Sequence, residues 1–467
     1  EHFLHAGYQE GTASEPVENL QLADKTVKLE GQTLAGDDLE VVFTRDHCVD
    51  DGRFANNGWC QELPDPITKI TWDNVMSVSR GTAKKLNLKN GQVAKLTLEG
   101  LPVKGPIWVQ PGMADNTVAL PLGYGRKGKL RIANFKYEGK TKGQPVGGFN
   151  AYQVRTSDAP NIAVGGKLEG TSEMYPLSST QEHWSMEGRA VVREATLDEY
   201  HKNKKFALEM GLKSHARDEG RIYQHPYKER PGLKSDVHQW GMSIDMNACS
   251  GCGVCTVACQ AENSIPVVGK SEVAKGREMT WIRVDRYFVG EDLNDPDEML
   301  MQPVACVHCE NAPCEPVCPV FATYHNDNGL NVQVYNRCVG TRYCANNCPY
   351  HARSFNYWEP VWPEDLRHQL NPDVTVRSRG IMEKCSMCVQ RIRRATRSKT
   401  PSQVPDGAFN PACAQACPTS AMTFGNVADP ESRVSKLRED ERRFRVFEAL
   451  GTDPSVVYLK QVDTNGA

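Results

Sequence analysis

The chain has 467 residues, 39% of them hydrophobic, and a formal net charge of −3 at pH 7. That length predicts two or three domains with ordinary buried cores. The near-neutral charge argues against a bulk electrostatic attraction to nucleic acid or lipid, and no run reaches ~18 uninterrupted apolar residues, so the sequence offers no membrane span of its own.

The first residue is Glu1 rather than Met, which implies an upstream part that was cleaved or is carried elsewhere, with any export signal in it. From about residue 40 to 155 the chain reads as strand. In "GQVAKLTLEG", Ala94, Leu96 and Leu98 point one way while Lys95 and Thr97 point the other. Val118, Leu120 and Leu122 repeat the pattern in "NTVALPLGYG", and Gly and Pro punctuate each run. A compact all-β unit, sandwich or barrel, is expected there.

Residues from about 156 to 240 are polar and mixed. "TLDE" predicts a helix start, with Thr196 and Glu199 able to cap each other. "SHARDEGRIYQHPYKERPGLK" has the composition of a solvated linker. Farther on, Asn328-Gly329 predicts a hairpin turn, and "ESRVSKLREDERRFRVFEALG" predicts a charged amphipathic helix.

Seventeen cysteines are unevenly placed: Cys48 and Cys60 stand apart, and the other fifteen fall between Cys249 and Cys417. Such clustering reads as metal ligation rather than a disulfide framework. There are four groups. The first is Cys249, Cys252, Cys255 and Cys259; the second is Cys306, Cys309, Cys314 and Cys318. The third, "CVGTRYCANNCP", has Cys338, Cys344 and Cys348, with Thr341 where the bacterial ferredoxin run would place a second cysteine. The fourth is Cys385, Cys388, Cys413 and Cys417. Structural zinc uses Cys pairs on longer spacers, four ligands to an ion. Fifteen thiols in crowded runs fit iron–sulfur clusters better. In two-cluster ferredoxins the last cysteine of a run serves the other cluster. Here Pro319, Pro349 and Pro418 follow such a cysteine, while Gln260 follows Cys259.

"CVHCENAPCEPVCP" and "RCVGTRYCANNCPY" resemble the four-cluster subunits of the polysulfide, dimethyl sulfoxide, formate and nitrate oxidoreductases. "NNGWCQELPDPITKITWDN" and "VQPGMADNTVALPLGYGR" are similar to the C-terminal domain of the molybdopterin oxidoreductases. Both in one chain, with "YPLSSTQEHWSMEGRAVVREATLDEY" and "CQAENSIPVVGK", resemble the molybdopterin-oxidoreductase-like iron–sulfur subunit of alternative complex III, a quinol-oxidising respiratory complex.

The resemblance implies an α+β multidomain fold. A double-psi β-barrel like a molybdopterin dinucleotide-binding domain (1–155, a relic without molybdenum cofactor) leads. A connector with short helices (156–235), a doubled ferredoxin-like four-cluster domain (236–430) and a helical tail (431–467) follow.

It also implies the ligand sets: Cys249, Cys252, Cys255 and Cys417; Cys259, Cys385, Cys388 and Cys413; Cys306, Cys309, Cys314 and Cys348; and Cys318, Cys338 and Cys344. The first three would hold [4Fe-4S] clusters. The last, lacking a thiolate at Thr341, would hold a [3Fe-4S] cluster, unless water or another residue completes a fourth [4Fe-4S] site.

The implied partners are polytopic quinol-binding membrane subunits, multihaem c-type cytochromes and, beyond them, a terminal oxidase. The implied place is the periplasmic face of the inner membrane. The implied activity is electron relay, with no bond-making active site. An electron-transfer subunit of a molybdenum reductase of the polysulfide or nitrate type is the alternative. A metal-bound adaptor whose clusters never turn over is a third reading.

Some residues carry two readings. Cys48 and Cys60 are plain thiols or a disulfide. Arg391, Arg393, Arg394 and Arg397 form a solvated face or a docking patch. His308 and Arg342, inside the cysteine loops, pack or tune cluster potentials.

Overall fold

A computed structural model describes residues 38–127, 130–133, 147–207, 209–210, 238–292, 294–397 and 404–463. The linker expected over 214–234 lies outside the described residues. Six strands close a barrel: β1 (Leu39–Thr44), β2 (Met76–Val78), β3 (Gln92–Leu98), β4 (Leu101–Val109), β5 (Thr117–Pro121) and β6 (Ile162–Met174). Their order around the barrel is β1-β5-β2-β4-β3-β6. Two pairs, β1 with β5 and β2 with β4, run parallel, the crossed connectivity of a double-psi barrel.

The period-2 alternation places the interior. Ala94, Leu96, Leu98, Val118 and Leu120 are all buried in one core with Leu39, Val41, Met76 and Ile107. Glu99 and Gly100, both with positive φ, make the two-residue β3–β4 turn that suits the strand twist. The barrel runs past the boundary expected at 155, because β6 closes it. In "IAVGGKLEGTSEM" glycines hide the strand pattern. A Cβ on Gly166 would lie 2.6 Å from Val41 Cγ2, so glycine lets β6 approach β1.

The cysteine-rich region is built on a four-stranded sheet. It contains β7 (Trp240–Asp245) in the centre, antiparallel to β12 (Met422–Asn426) and parallel to β14 (Val456–Leu459), with β13 (Arg443–Phe444) outside β14. Between β7 and β12 lie two hairpins, β8–β9 (Ile282–Val289, Glu298–Ala305) and β10–β11 (Thr323–His325, Asn331–Gln333). Gly329 takes φ 74° in the second turn, at the expected Asn328-Gly329.

The described helices are short. Those used below are α1 (Gly58–Glu62), α2 (Leu197–Lys202), α3 (Val254–Glu262), α4 (Val389–Thr396), α5 (Ala412–Ala416) and α6 (Arg433–Arg438). At α2 the Thr196 and Glu199 side chains cap each other as "TLDE" predicts. The tail departs from expectation. Among its described residues the only α-helix is α6; the chain then runs through β13, a short 3-10 turn at Glu448–Leu450 and β14. The run "VVYL" is β-branched and aromatic, and buried throughout; such residues favour a packed strand.

The barrel and the cysteine-rich region share a polar, buried interface. Lys270 Nζ lies 2.6 Å from Asp73 Oδ2, with both side chains buried, and Tyr175 donates to the other Asp73 oxygen at 2.7 Å. The buried Glu62 carboxylate, at the end of α1, accepts from the Val268 and Gly269 amides at 2.9 and 2.8 Å. Arg286 Nε donates to Ile67 O at 2.7 Å.

Candidate metal centres

The four cysteine groups share a backbone device. The residue before the second ligand position is left-handed in each: Gly251 (φ 69°), His308 (45°), Gly340 (73°) and Met387 (50°). Groups one and three match further. Cys252 sits between left-handed Gly251 and Gly253, and Thr341 sits between left-handed Gly340 and Arg342. Thr341 therefore occupies, in backbone terms, the position of Cys252. It is exposed. Left-handed turns are uncommon for residues with a Cβ; here they curl successive amides around one centre.

A second device follows each Cys-Pro. In Cys318-Pro-Val-Phe-Ala, Cys348-Pro-Tyr-His-Ala and Cys417-Pro-Thr-Ser-Ala, the fourth residue is left-handed: Phe321 (51°), His351 (49°) and Ser420 (54°). The alanine amide then donates back to sulfur, Ala322 to Cys318 Sγ at 3.1 Å and Ala421 to Cys417 Sγ at 3.3 Å. Burial opposes ionisation of both thiols, but at Cys318 the Ala322 amide and its neighbours, and at Cys417 the Thr419 hydroxyl followed by the Ala421 amide, outweigh it and hold both below their ordinary pKa. Cys259, followed by Gln260, makes no such turn. It lies inside α3, and the Asn263 side chain reaches its Sγ at 3.5 Å and Cys388 Sγ at 3.8 Å.

The fold gathers the thiols into four neighbourhoods. Cys249, Cys252 and Cys417 act electrostatically on Cys255. Cys385, Cys388 and Cys413 act on Cys259, α5 packing on α3 to bring Cys413 there. Cys306, Cys314 and Cys348 act on Cys309. Cys318 and Cys338 act on Cys344. Electrostatic influence between neighbourhoods follows a row. Cys255 acts on Cys413, joining the first to the second, and Cys306 acts on Cys385, joining the second to the third. Arg353 lies between the third and the fourth, touching Cys314 Sγ at 3.0 Å and acting on Cys344.

Burial pushes most of these thiols up, Cys255 and Cys385 to about 12, and Cys259, Cys309 and Cys413 well above their ordinary value. Packed like this, thiols do not ionise unaided, whereas a coordinated thiol is deprotonated outright. All-thiolate donors are soft and suit iron–sulfur clusters or zinc. Among the described residues, no three His, Cys, Asp or Glu side chains close around one point as a single metal ion requires.

A further observation fits a larger anionic group. His308 is fully buried, and burial holds its ring neutral. Neither nitrogen makes a hydrogen bond of ordinary length, and the Cys385 backbone is a weak hydrogen-bond partner at longer reach. Buried ring nitrogens are normally satisfied, and the sulfide of a cluster would satisfy one here. The donor set and this weakly satisfied ring fit an iron–sulfur cluster.

The remaining candidates resolve differently. Arg342 donates to the Tyr357 hydroxyl and its guanidinium lies 5.5 Å from the Phe355 ring centroid, a packing role. Arg391 pairs with Glu262 at 2.7 Å and Arg394 pairs with Asp373, while Arg393 and Arg397 are exposed on a cleft of about 1080 Å³ beside Cys385. Cys48 is a free buried thiol donating to Leu63 O at 3.2 Å, and Cys60 is also free. Sequence reading missed Arg353, Asn263 and the alanine amides. The alanine recurring four residues after Cys318, Cys348 and Cys417 was the available signal.

This is the architecture of an iron–sulfur electron-transfer subunit. Two family models, each a 4Fe-4S dicluster domain, match residues 248–322 and 297–362. The menaquinone reductase iron-sulfur cluster-binding subunit of Nitratidesulfovibrio vulgaris is 44% identical over 230 residues, 48% of this chain and 89% of that protein. The putative dimethyl sulfoxide reductase iron-sulfur subunit of Halobacterium salinarum is 38% identical over 47% of this chain and 78% of that protein. The Hdr-like menaquinol oxidoreductase iron-sulfur subunit 1 of Archaeoglobus fulgidus is 32% identical over 50% and 87%. The chain belongs to the family of iron–sulfur subunits associated with molybdopterin-type respiratory reductases. No helix among the described residues is long and apolar enough to cross a membrane.

Proposed function

We propose that this chain relays electrons along four iron–sulfur clusters between a quinone-reactive membrane partner and a redox partner of the molybdopterin-reductase type. The observation that carries the reading is the sorting of fifteen thiols into four neighbourhoods in a row. In this reading the first three neighbourhoods ligate [4Fe-4S] clusters through Cys249, Cys252, Cys255 and Cys417; Cys259, Cys385, Cys388 and Cys413; and Cys306, Cys309, Cys314 and Cys348. The fourth ligates a [3Fe-4S] cluster through Cys318, Cys338 and Cys344, with Thr341 at the vacant corner. When bound, such clusters supply one-electron carriers. The protein's part is to aim amides at sulfur, exclude water and hold the four sites in line.

Two further features support it. Phe321, Val339 and Tyr343, 61%, 64% and 58% exposed, each lie within three residues of a thiol of the fourth neighbourhood. Exposed apolar groups at the end of the row suit contact with a membrane partner. A cavity of about 550 Å³ beside the barrel is lined by Asp46, Asp65, Asp297 and Glu298, and by Asp73, whose charge Lys270 offsets. An acidic wall repels a pyrophosphate, in keeping with a barrel that holds no molybdopterin dinucleotide.

The relatives' names include selenate, tetrathionate and polysulfide reductases. They favour a molybdenum-reductase partnership over the quinol-oxidising alternative complex III to which the sequence points. The second reading keeps one specific observation in its favour: the barrel and the cluster region stand in one chain. In either case we place the chain on the periplasmic face of the membrane, held there by its partners; in the second, multihaem cytochromes and a terminal oxidase would receive the electrons.

Metal analysis of the intact complex decides. About fifteen irons per chain with matching sulfide are expected, and zinc in their place would overturn the relay. Molybdenum near one per complex selects the reductase; its absence selects the quinol-oxidising complex.

A further inference from the structure

Arg353 is 7% exposed, yet among the described residues no carboxylate pairs with it. Its Nη2 donates to Cys314 Sγ at 3.0 Å, Thr323 Oγ1 at 2.8 Å and Asn331 Oδ1 at 2.9 Å, and its Nη1 donates to Gln333 Oε1 at 2.9 Å. Glu315, the carboxylate attached to this network, is taken by the Asn331 amide and by His325. A guanidinium stays charged in proteins, and a buried charge without a counter-charge is strongly destabilising. The counter-charge here is sulfur. Arg353 acts on Cys306, Cys314 and Cys348 of the third neighbourhood and on Cys318 and Cys344 of the fourth. Its position is set by the β10–β11 hairpin, which supplies Thr323, Asn331 and Gln333.

We propose that Arg353 is a positioning residue that serves as the shared counter-ion of the third and fourth cluster sites. It raises both reduction potentials and ties the last two sites of the row together. The inference rests on the four-cluster reading above. The physical reason is direct. An added electron makes a cluster more negative, and a fixed positive charge in a water-excluded site stabilises that form. Because the same guanidinium faces both sites, it also offsets their mutual repulsion when both are reduced.

The test is an EPR-monitored redox titration of the purified complex with Arg353→Gln and Arg353→Lys. Glutamine removes the charge and keeps hydrogen bonding to the hairpin; lysine keeps the charge and loses the fork. With Gln, the third and fourth midpoints should fall together, changing the oxidised-to-reduced ratio at fixed poise at least tenfold, 59 mV for one electron. The first and second centres should stay in place. Lys should hold both potentials near the native values. An equal fall with Gln and Lys, a shift of all four centres alike, or no shift would overturn the proposal. If the Gln variant fails to assemble, Arg353→Met and Thr323→Val take its place; the charge-neutral variant should shift both potentials and Thr323→Val should not. Absence of four clusters from the native complex would instead overturn the underlying reading.

Discussion

At the residue scale, the departures from a perfect ferredoxin pattern are the informative positions. Thr341 stands where Cys252 stands in the first group, between two left-handed residues, and a hydroxyl is a hard donor beside soft thiolates. In the proposed reading, Thr341→Cys should therefore convert the three-iron centre assigned there to a four-iron one. The expected readout is loss of the oxidised-state EPR signal that distinguishes a [3Fe-4S] centre. An unchanged spectrum would place residue 341 away from the vacant corner. The alanines after the three Cys-Pro turns belong to the same scale. Their amides do at Cys318 and Cys417 what the Asn263 side chain does at Cys259.

At the scale of elements, the sheet that carries the cluster loops depends on the end of the chain. β14 lies between β7 and β13, and the wholly buried Tyr458 sends its hydroxyl to Pro303 O at 2.8 Å, tying the sheet to the β8–β9 hairpin. Tyr458→Ala removes a large buried ring and strands a buried carbonyl, and should cost about 3–5 kcal/mol. Chemical denaturation of the metal-loaded protein measures it; a loss below about 1 kcal/mol would show that the tail is dispensable. The aromatic pack at the other edge, Trp240 stacked on Phe424 with ring centroids 5.3 Å apart, holds β7 to β12 independently.

At the scale of the whole molecule, the barrel and the cluster region are joined through buried ionisable groups, so their docking is coupled to pH. Burial pushes Glu62 up to about 7 from 4.5, despite the Val268 and Gly269 amides that favour its charge. A carboxyl whose folded pKa is raised contributes stability fully present below 4.5 and lost as pH rises through about 7. Thermal unfolding should thus show native stability falling between those limits. Glu62→Gln, which keeps an acceptor oxygen for the two amides, should flatten that part of the curve. A Gln variant with the native pH slope would assign the dependence to other groups. The Lys270–Asp73 pair, buried on both sides, sits beside this contact and fixes its register.

Cysteine spacing alone made the chemistry legible, because ligand runs are local and a proline or glycine at a set offset leaves a mark in the chain. The barrel strands β3 and β5 were legible too, since one-sided burial imposes a period of two. What the sequence left hidden arises from contacts between distant segments. β6 is masked by glycines needed for close packing, and the short β14 finds its partners, β7 and β13, only in the folded sheet. Arg353, 39 residues from Cys314, becomes a sulfur's neighbour only when the hairpin folds over it. Local rules write the ligands into the chain, and only tertiary burial decides which charges must answer one another.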